Sequence, residues 1–187
     1  FVFLGGVRFP YQPLKALIFI MQLMKNGYNC EVDFINEGDQ EFILKACKEV
    51  GFPRDKLNLF SAERKQLYKI LPSYDCGLAF IATGAWLRMC SPTKIGEYLS
   101  AGLHIVGLEG LEVLDRLSKE SKSVDLIEEK GNNIFLSKEN SMKIINKIND
   151  PMRKFNARKI AKENYDLQQA LKKYRKLYLA LLSPMDK

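Results

Sequence analysis

Short apolar runs alternate with helix-period segments through the first hundred residues, and this alternation limits the fold more than any other feature. FVFLGG at 1–6 reads as a buried strand, 14–25 as a helix, EVDFIN at 31–36 as a strand, 40–50 as a helix and KLNLF at 56–60 as a strand. Residues 63–71 then read as a helix, CGLAFIA at 76–82 as a strand, 92–101 as a helix and HIVGL at 104–108 as a strand. Strands separated by whole helices return in the same direction, so the class is α/β: a parallel sheet with helices on both faces. Beyond Glu109 the pattern weakens, with SVDLIE and NNIFLS as edge strands before a helical tail over 140–187. In the closing run LQQALKKYRKLYLALL, Leu171, Tyr174, Tyr178 and Leu181 share one stripe of an amphipathic helix. Neither an internal repeat nor a low-complexity linker interrupts the chain, so residues 1–187 are expected to form one domain.

Composition removes several classes. With 47% apolar and 27% charged residues the chain is an ordinary globular sequence. Its longest apolar run, ALIFIMQLM at 16–24, is about half the ~18–20 residues a membrane span needs. That run is apolar nearly all round, more than one face of a sheet requires, so the helix either meets a partner or lies deep beneath the tail. Cys30, Cys47, Cys76 and Cys90 are irregularly spaced, and His104 is the one histidine; neither a metal centre nor a disulfide framework is expected. His104 lies in an apolar run and reads as structural. The net charge of +7 comes from the tail, where 143–176 hold eleven Lys and Arg against three Asp and Glu. Such an excess suits a solvated face on docked helices, with an anionic membrane or nucleic acid as the alternatives.

The stretch SPTKIGEYLSAG at 91–102 carries the chemistry. Ser91 reads as the cap, Pro92 as the first helical residue and Gly102 as the stop. A glutamate would complete a capping box at the next turn, yet the residue is Lys94. A cation there opposes the helix dipole at a cost of about 0.3–1 kcal/mol, which an anionic ligand would offset. In an open parallel sheet ligands bind beyond the carboxyl ends of the strands. The loop Gly5-Gly6-Val7-Arg8, the strand end Leu59-Phe60 and this helix start converge there, and a phosphate ligand follows, with Arg8 as a bidentate grip. Glu97, one turn deeper than Lys94, is placed to accept hydrogen bonds from ribose hydroxyls, although a surface ion pair with Lys94 has the same spacing. GGVRFP is no G-x-G-x-x-G, no P-loop is present, and FVFLGG lacks the acidic residues of a phosphate-accepting regulator.

SPTKIGEYLSAGLHIVG resembles the nucleotide-sugar-binding half of the family-four (group 1) retaining glycosyltransferases, which have two facing Rossmann-like domains in the arrangement called GT-B. FVFLGGVRFPYQ resembles the opening strand and loop of that half, LYKILPSYDCGLAFI the stretch ending in its fourth strand, and YDLQQALKKYRKLYLAL its closing helix. The resemblance implies that Glu97 binds the donor ribose, that amides around Thr93 and Lys94 meet the diphosphate, that Gly5 and Gly6 face it across the cleft, and that Leu59 and Phe60 flank the base. Arg8 and Lys94 would stabilise the departing diphosphate. The donor would be a UDP- or GDP-sugar, with neither a metal nor another cofactor, and an N-terminal acceptor domain, absent from this chain, would complete the enzyme. Surface polysaccharide assembly in the cytoplasm, peripheral to an anionic membrane and without nucleic acid, is the setting implied. Three positions depart from the family pattern: Met89 where many relatives carry a glutamate, Gln12 where a lysine is usual, and His104 for a proline. Two alternatives remain: a sugar-nucleotide epimerase half-domain and a non-catalytic basic module that binds nucleic acid.

Overall fold

The strands are short runs in which nearly every residue is buried, as parallel strands covered on both faces must be. The computed structural model describes residues 1–131 and 133–182; Asn132, within the run NNIFLS, and residues 183–187, the end of the tail, lie outside the described residues. Six strands form one parallel sheet in the order β3-β2-β1-β4-β5-β6: β1 (Val2–Leu4), β2 (Val32–Ile35), β3 (Leu57–Phe60), β4 (Cys76–Ala79), β5 (His104–Leu108) and β6 (Val124–Ile127). The order reverses between β1 and β4, and the loops leaving these two strands therefore diverge to opposite faces and open a crevice.

Alternate residues of β1 feed two cores. Phe3 joins the core beneath α1 (Pro13–Lys25), α2 (Gln40–Val50) and α6 (Lys138–Ile148). Val2 and Leu4 join the core beneath α4 (Thr93–Ala101), α5 (Glu112–Glu120) and α7 (Arg153–Tyr165). On the second face Tyr98 of α4 lies flat on Gly77 of β4, where an added Cβ would come within 2.4 Å of the ring. Its hydroxyl accepts the Leu4 N–H at 2.8 Å, which ties α4 to the end of β1.

Several expectations need correction. Ser91 caps nothing: α4 begins at Thr93 with Pro92 in the cap position, and since Pro92 carries no side-chain acceptor the helix start has no side-chain cap. The helix expected over 63–71 shrinks to α3 (Leu67–Ile70), between 3-10 turns at Arg64–Gln66 and Leu71–Ser73. Gln66 bonds back to the Glu63 N–H on one side, and Pro72 interrupts the helix on the other. NNIFLS does not extend the main sheet; Asn133–Ile134 (β8) pairs with Glu129–Lys130 (β7) as an antiparallel hairpin. The hairpin and α6 cover α1: the side chains of Gln22 and of Asn26, the residue that follows the helix, donate to the Ile134 and Leu136 carbonyls. The apolar helix is thus buried within the chain. The tail behaves the opposite way at its end: α8 (Leu167–Leu182) has no buried residue, so it is not a docked helix. His104 is structural, buried with Nε2 at 2.9 Å from Asp125, which Lys147 also contacts.

Candidate functional site

At the end of β1 the chain turns through Gly5, whose φ of 89° suits a residue without a side chain. Its N–H donates to Ile35 O and its carbonyl accepts from the Asn36 side chain, both at 2.9 Å. Gly6 follows, with the Tyr11 ring so close that an added Cβ would sit 2.7 Å from it. The rest of this loop is tied to the extension of β4: Gln12 N–H bonds Phe80 O, Ala82 N–H bonds Pro10 O, and Tyr11 bridges to Ile81. The loop is therefore a held surface, and α4 arrives beside it with first-turn amides that no side chain caps.

Between them lies a cavity of about 380 Å³ lined by Gly5, Gly6, Asn36, Arg64, Thr93 and Glu97, with Leu4, Ile35, Glu37, Ala62 and Leu67. Four residues named from the sequence converge here: Gly5, Gly6, Thr93 and Glu97. The other four do not line it. Leu59 and Phe60 sit on the edge strand and pack against opposite cores, and Ala62 and Arg64, a few residues on, line the cavity instead. Arg8 is turned to α2, where Nε and Nη2 clasp the Asp39 carboxylate at 3.0 and 3.1 Å and the guanidinium lies 4.5 Å from the Phe42 ring.

Lys94 requires the largest correction. It is 5% exposed, not a solvent-facing cation at the helix start. Its Nζ has no hydrogen-bond partner and lies 4.1 Å from the centre of the Tyr11 ring and 4.5 Å from that of Phe3. Burial pushes the amine down to about 7, against the opposing pull of Glu97. Glu97 itself pairs with Arg64, 3.7 Å away, rather than with Lys94.

Arg64 is the residue that sequence reasoning missed. It is exposed, and besides the first cavity it lines a second of about 500 Å³ that also shares Leu67, Thr93 and Glu97 and adds Tyr68, Ser100, Arg158 and Tyr165. Glu97 thus stands on the ridge between two hollows. Met89 is exposed and offers no carboxylate to either. Among the described residues no group of three or more His, Cys, Asp and Glu side chains is arranged to hold a metal ion, and no helix is long and apolar enough to cross a membrane.

This sheet order is that of a Rossmann-like α/β fold, and it is similar to the Rossmann-like half of solved GT-B glycosyltransferases. AviGT4, a glycosyltransferase involved in avilamycin A biosynthesis, superposes with a TM-score of 0.69 at 14% identity, over 96% of this chain and 51% of its own. The pneumococcal O-GlcNAc transferase GtfA, solved with UDP and GlcNAc, gives 0.69 at 15% identity over 98% of this chain and 36% of its own. Anabaena HepE, solved with UDP-glucose, gives 0.63 at 13% over 96% and 49%. The likeness is one of fold, and the chain spans between 36% and 51% of the length of these three. No protein-family model matches the sequence, and no curated protein does.

Proposed function

We propose that this chain is the donor half of a family-four glycosyltransferase. It binds a UDP- or GDP-sugar whose sugar is transferred with retention to a glycan or lipid-linked acceptor during surface polysaccharide assembly. The observation that carries this reading is the convergence of Gly5, Gly6, Thr93 and Glu97 on one cavity at the point where the strand order reverses. The Gly6 amide and the uncapped amides of Thr93 and Lys94 at a helix start are donors suited to a diphosphate, the Gly5 N–H being taken by Ile35 O, and a carboxylate one turn deeper is an acceptor suited to vicinal hydroxyls. The UDP bound to GtfA and the UDP-glucose bound to HepE are ligands of that chemistry.

In the transfer, the bond between the sugar's anomeric carbon and the diphosphate oxygen breaks, its electrons stay on the diphosphate, and the acceptor hydroxyl oxygen forms the new bond on the same face while its proton passes to the departing diphosphate. What the residues here contribute is stabilisation of the leaving diphosphate by fixed donors, a preorganised effect that needs no metal or cofactor. Arg64, the exposed cation at the cavity wall, is the additional charge within reach of that group. An acceptor domain completes the cleft. The basic tail is the surface for a peripheral contact with the anionic inner face of a membrane, in the cytoplasm.

Calorimetric titration with UDP, GDP and CMP at moderate salt tests the reading. Binding of one nucleoside diphosphate near 1 mM, about 4 kcal/mol, weakened at least tenfold in Glu97→Ala, is the expected result. Equal binding by Glu97→Ala overturns the ribose role. Affinity that ignores the base and falls steeply with salt points instead to a basic nucleic-acid module.

A further inference from the structure

Lys94 stands next to the proposed diphosphate cavity without reaching it. Thr93 before it and Glu97 one turn after it line the cavity, as does Gly6, against which the Tyr11 ring is packed. That same ring lies 4.1 Å from Nζ. The amine and the glycine wall where a diphosphate would rest thus lie against one and the same aromatic ring.

The cage offers Nζ no hydrogen-bond partner, and Glu97 is the charge that pulls towards its protonated form. From β1 it is faced by the Phe3 ring, and from the glycine loop by the Tyr11 ring. The loop's arginine, Arg8, is clasped by Asp39. On its own helix, the Tyr98 hydroxyl is engaged with the Leu4 N–H, and the Glu97 carboxylate is drawn towards Arg64. An ammonium without a hydrogen-bond partner in a dry site is disfavoured, which holds the group at about 7. The two ring faces work the other way and keep protonation within reach of ordinary solution pH. A nearby anion acts far more strongly across such a medium than across water.

We propose that Lys94 rests as a free amine at mildly alkaline pH and takes up a proton from solvent when an anionic diphosphate enters the cavity, so that positive charge beside Gly6 grows when negative charge arrives to meet it. The inference rests on the donor-binding reading of the cavity. The step is a proton transfer alone: the amine lone pair accepts the proton, and no other bond changes. Because the charge on the diphosphate grows as the sugar leaves, the cation it evokes is best placed at that moment.

The test is carbon-13 NMR of this chain labelled at lysine Cε, with Lys94→Met identifying the signal, together with calorimetry at pH 8 in buffers of different ionisation enthalpy. At that pH a terminal phosphate with a second pKa of about 6 is fully ionised and contributes no proton of its own. The free chain is expected to show one lysine titrating near neutrality, its midpoint moving up by at least two units with saturating UDP or GDP. Proton uptake on binding should approach one and vanish in Lys94→Met. A Lys94 signal titrating near the ordinary lysine value of about 10.4 overturns the proposal. Nucleotide binding without uptake overturns it too and leaves the donor reading standing, whereas failure of both UDP and GDP to bind removes both.

Discussion

Two regions of this molecule reverse the usual partition of charge outside and apolar groups inside, and they do so for different reasons. At the start of α4 a lysine is enclosed between aromatic rings. Along α8, Leu167, Leu171, Tyr174, Leu177, Tyr178 and Leu181 are exposed. The enclosed lysine is held by its surroundings: α4 is fixed to β1 by Tyr98, and the glycine loop is fixed to β4. Nothing comparable constrains α8, none of whose residues is buried. A violation that a well-packed shell imposes is a candidate for function; one at an open surface marks where cover belongs.

The first way to sharpen this contrast is to remove the enclosed charge. Lys94→Met replaces a desolvated amine with an apolar chain of similar length and should stabilise the fold at pH 7 by on the order of a few kcal/mol. The sign with pH follows from the direction of the shift. The folded group sits at about 7 and the unfolded one near about 10.4, so between those values the unfolded chain binds more protons and stability rises with pH. Denaturant unfolding at pH 7, 8.5 and 10 should show the parent gaining on Lys94→Met across the series. A constant difference would mean that the amine is not strained by burial at all.

A smaller effect is expected from the wall of the cage. In Gly6→Ala the new methyl meets the Tyr11 ring, 2.7 Å away, and the ring must move, at a cost of about 1–3 kcal/mol typical of overpacking. Displacing that ring opens the enclosure, so the lysine midpoint seen by NMR should move towards its ordinary value in the same variant. Loss of stability with no change in the midpoint would show that Tyr11 does not shield the amine.

How much of this is legible in the sequence depends on where each contact comes from. The strand–helix alternation is readable because β1, β4 and β5 are buried on both faces and stand out as unbroken apolar runs; SVDLIE likewise contains β6. Helix α7 is not readable, since its buried contacts are Ala157, Ile160 and Ala161 in an otherwise polar run. At the site, Gly5, Gly6, Thr93 and Glu97 are found because strand ends and helix starts mark themselves. Arg64 is missed because its surroundings, ERKQ, read as a solvated helix face. The enclosure of Lys94 is missed because half of it, Tyr11, lies in a distant loop folded back by its bonds to β4. Local spacing alone puts that lysine in solvent.

The smallest effect on stability is expected from α8, and there the comparison meets its strictest test. Its apolar stripe runs beside Lys172, Lys173, Arg175 and Lys176, with no acidic residue between Leu167 and Leu182. If the stripe is open, Leu171→Gln combined with Tyr178→Gln removes little that folding buries, and each substitution should change unfolding free energy by less than about 0.5 kcal/mol. The double variant should also be more soluble, because an exposed apolar face promotes association. A loss above about 2 kcal/mol, in the range of core truncations, would mean that these side chains are covered in solution. The contrast between a lysine held by its shell and a helix left without one would then fail on the helix and stand on Lys94 alone.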